Sequence, residues 1–163
     1  MYEKFQIKVW LAPLYLMYYV GIYSFKHDLT RIVEPMRYAA HVGEETGNIE
    51  ESITCELCLS LLQLESRSLS KSVDYMNEIR KKMLFYGLTT LHELSTPTLQ
   101  SLETLVGFRD ISLFTTHQQS DGIIFLFTHF HIMMLSLIFG DVDEAARSSK
   151  YLRAFSSDRK SVV

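Results

Sequence analysis

The sequence predicts an all-α fold of stacked antiparallel helical hairpins, a tetratricopeptide-like α-solenoid with about seven helices. Three observations predict it. No sustained apolar–polar alternation occurs, and no Asn-Gly or Asp-Gly pair lies between two apolar runs, so strand and β-hairpin signals are missing. Apolar-periodic segments instead run up to Gly47, Gly87, Gly107 and Gly140, as helices run up to their stops. Twice, an apolar stretch enters a glycine-plus-polar turn and re-emerges as an acidic-headed helix: Gly47-Asn48-Ile49-Glu50-Glu51-Ser52 and Gly140-Asp141-Val142-Asp143-Glu144-Ala145. In each joint the glycine closes one helix in the left-handed conformation. Asn48 or Asp141 caps the next, and the carboxylates that follow sit on the positive end of its dipole.

Helices are expected at 5–25, 29–46, 49–66, 70–87, 97–106, 122–139 and 142–156. The first carries Trp10, Tyr15, Tyr18, Tyr19, Tyr23 and Phe25. Helical spacing puts Tyr15, Tyr18 or Tyr19, and Tyr23 near one face, and rings with polar tips suit a protein interface. Packing against a neighbouring repeat produces the same pattern. Trp10, Tyr15, Tyr18, Tyr19 and Tyr23 are therefore the candidate interaction surface, through which the apolar first helix could also self-associate. In the fourth helix, Arg80, Lys81 and Lys82 precede Gly87, where cations oppose the negative helix end on a solvated face. Thr96-Pro97 supplies a cap and then a proline at the first helical position. The polar stretch at about 108–120 reads as an irregular connection between hairpins, with Ile111, Leu113 and Phe114 tucking it against the core. No low-complexity linker divides the chain, so residues 1–163 read as one helical-repeat region.

The composition excludes several function classes. A net charge of −3, from 16 basic and 19 acidic residues, leaves no footprint for nucleic acid and no polybasic tail for anionic lipid. Two cysteines cannot build a disulfide framework and the N-terminus lacks the pattern of a secretory leader, which points to a reducing, cytoplasmic compartment. A rival reading is a small helical membrane protein with spans at 9–25 and 123–139, both free of Asp, Glu, Lys and Arg. Against it stand Pro13, a lysine at each end of the first stretch (Lys8, Lys26), and Thr128, His129, His131 and Ser136 within the second. Burial by neighbouring helices, as of the inner helix of a stacked solenoid, is the preferred account of such stretches.

Candidate chemistry is sparse. Cys55-Glu56-Leu57-Cys58 has the spacing of a redox dithiol or half a zinc site, yet no second pair completes four ligands and the motif lies mid-helix among leucines. A Cys-dependent redox or metal protein is the third reading; buried apolar thiols are the simpler identity. His129 and His131 stand about 200° apart on a helix and cannot grip one metal from it. No nucleophile elbow, oxyanion loop or phosphate loop occurs, so no catalytic, cofactor or metal residue is assigned.

The last hairpin resembles a tetratricopeptide-type repeat: Leu137-Ile138-Phe139, the turn Gly140-Asp141, then Asp143-Glu144-Ala145, with the small Ala145 where the second helix presses closest to the first. A longer stretch, His27-Asp28-Leu29 through Glu34-Pro35-Met36-Arg37-Tyr38-Ala39-Ala40 and Gly43-Glu44-Glu45-Thr46-Gly47-Asn48-Ile49-Glu50, resembles the helical region that follows the AAA-type ATPase module of very large signalling proteins. Gln100-Ser101-Leu102-Glu103-Thr104-Leu105-Val106-Gly107 and Ile132-Met133-Met134-Leu135-Ser136-Leu137-Ile138-Phe139-Gly140-Asp141 agree with the same region. Those proteins join a serine/threonine-kinase-like domain, the ATPase, this helical region and often a histidine-kinase or cyclase output. Asn48 replaces the family's usual Asp, Ser52 a common Ala, and Pro97 interrupts an expected longer helix. The resemblance implies a non-catalytic scaffold, a fragment of a larger signalling ATPase/kinase, whose partner is a protein or an adjoining domain.

Overall fold

A computed structural model describes residues 8–62, 68–107, 110 and 122–158. The described residues are all-α, with no strand among them. The α-helices are α1 Leu11–Tyr15, α2 Val33–Thr46, α3 Ile49–Leu62, α4 Leu69–Phe85, α5 Thr89–Leu94, α6 Thr96–Val106, α7 Gly122–Phe139 and α8 Val142–Asp158. They fall into two compact units, Met1–His92 and Glu93–Val163, with the division inside α5.

The expected helix at 5–25 is not one α-helix. Residues 5–7 lie outside the described residues, α1 is followed by a π-helical turn at Leu16–Val20, and a 3₁₀ turn follows at Tyr23–Phe25. A π turn takes up an extra residue. Tyr15, Tyr19 and Tyr23, each four apart, thereby stay on the side that packs against the core. The next helix also begins differently, as a 3₁₀ turn at Leu29–Ile32 whose Asp28 carboxylate accepts from the Thr30 N–H at 2.9 Å. The third and fourth helices run close to expectation as α3 and α4, Ser68 capping α4; residues 63–67 are outside the described residues. The short α5 was not foreseen. It arises because Pro97, at the first turn of α6, splits the helical segment in two. Of the expected connection at 108–120, only Asp110 is described.

The hairpin joints follow one hydrogen-bond scheme. At Gly47 (φ 79°) the glycine N–H donates to Glu44 O at 3.3 Å and the Asn48 N–H to Gly43 O at 2.8 Å. At Gly140 (φ 80°) the same bonds run to Leu137 O at 3.4 Å and from Asp141 to Ser136 O at 2.8 Å. Gly87 (φ 72°) repeats it with Leu84 and Met83. This double closure satisfies the last helical carbonyls and requires the left-handed conformation that glycine adopts without penalty.

In the first unit α3 is covered on two sides. Cys55 and Leu59 join Ile32, Met36, Ala39 and Ala40 in one cluster, with Tyr15, Leu16, Tyr19 and Tyr23 packed against it. Ile53 joins Ile79 and Met83 of α4 in a second, with Ile49, Leu57, Tyr75, Leu88 and Leu91 around it. A helix apolar on opposite sides must be sandwiched, which is why α3 shows little amphipathicity. Met36, Met76, Ile79 and Met83 are each at most 1% exposed, and burying such a side chain stabilises by about 1.5–3 kcal/mol.

In the second unit α6 and α8 pack on α7. Its core is smaller and more polar: Ile132 and Leu135 with Leu105, beside buried Thr128, His129, Ser136 and Ser148. The hairpins α2–α3 and α7–α8 share a register. With Gly47 set on Gly140, the buried positions Met36, Ala39, Val42, Gly43, Ser52 and Cys55 coincide with the buried positions His129, Ile132, Leu135, Ser136, Ala145 and Ser148. The first hairpin crosses on a pair of small residues, Gly43 with Ser52, and the buried Ser136 and Ala145 hold the matching positions of the second.

Candidate interaction surfaces

The five aromatic residues expected to form one surface divide between two environments. Tyr15, Tyr19 and Tyr23 are partly buried against the α2–α3 core, whereas Trp10 and Tyr18 are exposed. The four tyrosine rings form a chain, with centroids 5.2 Å apart for Tyr15–Tyr19, 5.0 Å for Tyr18–Tyr19 and 5.3 Å for Tyr19–Tyr23, ending in Tyr23 stacked on His27 at 4.0 Å. Burial, and then the neighbouring tyrosines, push the Tyr19 hydroxyl pKa up. The outward side of this segment is Trp10, Leu14, Met17, Ile22 and Phe25, all more than half exposed.

The turn residues occupy the joints. Gly47 and Gly140 are left-handed. The Asp141 carboxylate accepts from the Glu144 N–H at 3.0 Å, as a helix cap does. Asn48 acts over a longer range, its side-chain amide donating to Val9 O at 2.7 Å and so tying the start of the first segment to the joint. Ala145 is buried on α8.

A trough that the sequence did not reveal crosses the first unit, floored by α3 and walled by α2 and α4. One basin, of about 380 Å³, is lined by Glu44, Ile49, Ser52, Ile53, Lys81, Lys82, Phe85 and Tyr86. A smaller one, of about 180 Å³, is lined by Arg37, Ala40, His41, Glu44, Glu56, Leu59 and Tyr75. Lys82 stands between them, its Nζ 2.8 Å from Glu56 Oε1 and 3.3 Å from Glu44 Oε1. Partial burial pulls the Lys82 pKa down, but the Glu56 and Glu44 carboxylates outweigh it and the net direction is up. The Arg80–Lys82 triplet is therefore not a merely solvated face: Lys82 bridges two acids and the Arg80 guanidinium donates to His92 O at 2.6 Å. Spacing marked Lys82 only as a helix-end cation, because its partners lie 26 and 38 residues away.

Cys55 is fully buried and Cys58 half-buried, and both are free thiols. Burial pushes the Cys55 thiol up to about 12, with Cys58 and nearby acids adding, and burial pushes Cys58 up to about 11. Such thiols are poor nucleophiles.

The two histidines of α7 also have separate surroundings. His129 stacks on Tyr151 (4.5 Å) and meets Phe125 edge-on (4.3 Å), and burial lowers its pKa. His131 is held by α6. Ser101 Oγ lies 2.9 Å from both Pro97 O and His131 Nδ1, and Thr98 Oγ1 lies 3.2 Å from Nε2, so each ring nitrogen has a hydroxyl partner. Burial lowers the His131 pKa to about 4. With both nitrogens engaged, this is a neutral structural imidazole. Among the described residues no three His, Cys, Asp or Glu side chains converge as a metal site.

Among the described residues α7 alone is long and apolar enough to cross a membrane; the other expected span is the shorter segment Leu11–Phe25. In this hairpin α7 is packed along α8, which carries Asp143, Glu144, Arg147, Lys150 and Arg153. Inserting the intact hairpin would bring those charges into hydrocarbon.

No protein-family model, curated protein or solved structure matches the chain.

Proposed function

We propose that the chain is a non-catalytic helical-repeat scaffold that mediates protein–protein or interdomain contact, as part of a larger signalling ATPase/kinase in the cytoplasm. The observation that carries the reading is the hairpin used twice, with the same double closure at its glycine and six shared buried positions. Repeating one packing unit while varying its exposed residues is how helical scaffolds make recognition surfaces without catalytic groups. The α2–α4 trough is the docking place on this reading. Ile49, Ile53, Phe85 and Tyr86 offer an apolar basin for an anchor side chain, and the Glu44–Lys82–Glu56 bridge supplies charge beside it. Aromatic anchors surrounded by polar groups dominate interface energetics.

The test is a peptide-display selection on the whole chain, followed by titration of the selected peptides. Phe85→Ser should weaken binding at least about tenfold, a loss of about 1.4 kcal/mol, while Tyr151→Ser leaves it unchanged. Peptides insensitive to Phe85→Ser would remove the trough from the proposal. The parentage is tested separately by the genomic sequence beside this reading frame. A phosphate loop upstream, or a histidine-kinase or cyclase module downstream, is the expected finding; flanking stop codons and a promoter would refute it.

A further inference from the structure

The shared register of the two hairpins permits a comparison at matched exposed positions. Glu34, Arg37, His41, Glu44 and Glu45 are exposed on α2, as is Tyr38, whose matching position is His131. The α7 positions matching the first five are Phe127, Phe130, Met134, Leu137 and Ile138, which are 41–59% exposed. The hairpin itself therefore does not need apolar groups at these five positions, because α2 builds the same crossing with charged and polar ones. α7 already buries Ile124, Ile132 and Leu135 on its inner side, so this outer stripe is a second apolar face.

The stripe has the period of a coiled-coil seam. Ile123, Phe127, Phe130, Met134 and Leu137 are spaced by four, three, four and three residues, as in a heptad. No Asp, Glu, Lys or Arg interrupts α7, and its 18 residues make a rod about 27 Å long. The occupant must bring an uncharged apolar face of similar length. A lipid surface fits poorly, since interfacial helices carry Lys and Arg on the polar side, whereas the end of this one leads into Asp141, Asp143 and Glu144. A second copy of the chain supplies a seam of the same period and length. Run antiparallel, two copies place their acidic ends about 27 Å apart, well beyond the screening length of about 8 Å; run parallel, those carboxylates would face one another.

We propose that α7 pairs antiparallel with α7 of a second copy, Phe130 packing on its own symmetry mate, Phe127 against Met134 and Ile123 against Leu137. This stands whether or not the trough binds a segment. Five half-exposed side chains of this size cover roughly 450 Å² per copy, below the roughly 800 Å² per partner of a standard interface, so the dimer is of moderate affinity.

The experiment is sedimentation equilibrium of the full chain over roughly 1–100 μM, with far-UV circular dichroism on every variant. A monomer–dimer equilibrium is expected, abolished by Phe130→Glu with helicity retained and preserved in Phe25→Glu. Mild oxidation should cross-link Phe130→Cys to itself, and Phe127→Cys to Met134→Cys in a mixture but not to itself, while the wild type gives no cross-link. A wild type that stays monomeric at the highest concentration overturns the proposal. So does a dimer indifferent to Phe130→Glu, or a ladder of larger species removed by Phe25→Glu. Self-cross-linking of Phe127→Cys would overturn the antiparallel pairing. Co-sedimentation with phosphatidylcholine vesicles that Phe130→Glu abolishes, without a dimer, would assign the stripe to lipid instead.

Discussion

Gly43 of α2 and Ser52 of α3 meet so closely that a β-carbon on Gly43 would stand 2.8 Å from the Ser52 β-carbon and 3.1 Å from its α-carbon. Ser52 is fully buried, and its hydroxyl donates to Ala40 O at 2.7 Å, fixing the side chain in the crossing. The neighbour that would have to yield is largely backbone, so the helices themselves must separate.

Gly43→Ala should therefore destabilise the chain by about 1–3 kcal/mol, the cost of overpacking a tight contact. Gly47→Ala should cost about 1 kcal/mol for a different reason, a left-handed φ with open space around it. Urea unfolding followed by circular dichroism measures both. A Gly43→Ala variant as stable as the wild type would show that the crossing is looser than described.

Acid should weaken the fold through His131. Its folded pKa, about 4, lies below the ordinary 6.5, so between these values the unfolded chain binds more protons than the folded one. Stability is then unaffected above about pH 6.5 and falls as pH drops toward 4, by at most about 1.4 kcal/mol per pH unit and roughly 3 kcal/mol in all. His129, whose pKa burial also lowers, acts in the same direction. Stability measured against pH should flatten in His131→Gln, which keeps polar groups near Ser101 and Thr98 but does not titrate. An unchanged slope would reject the assignment.

Lys82→Met should destabilise by about 1–2 kcal/mol, between the small value of a surface pair and the 3–5 kcal/mol of a broken buried one. The reason is Glu56, whose side chain is 16% exposed and whose Oε2 has no hydrogen-bond partner. Adding Glu56→Gln to Lys82→Met should recover most of the loss. A double-mutant cycle that shows no coupling would mean the bridge is solvated.

Cys55 and Cys58 should resist thiol reagents in the native state. With pKa values pushed to about 12 and about 11, thiolate fractions at pH 8 are roughly one in 10⁴ and one in 10³. Labelling in urea should proceed at least about 100-fold faster than in buffer. Fast native labelling of either cysteine would revive a redox role for the pair.

The helical stops show how far local chemistry reaches. Gly47, Gly87, Gly107 and Gly140 were legible as ends because a left-handed residue after an apolar-periodic run is a property of a few neighbouring residues. Pro97 was legible as a start for the same reason. The π turn at Leu16–Val20 was not, since it is set by the α2–α3 core on which Tyr15, Tyr19 and Tyr23 pack. The trough was hidden too: Glu44, Glu56 and Lys82 come from three helices, and no spacing rule links residues so far apart.

By itself, the sequence determined the all-α class and the glycine joints. These depend on backbone conformations and volumes that individual residues impose on their neighbours. The tertiary structure alone decided which tyrosines turn inward, which lysine bridges two acids, which imidazole is held neutral, and that one of two matched helices exposes charge where the other exposes Phe127, Phe130 and Met134. Burial and pairing are properties of helices brought together, and each helix carries only half of every such contact.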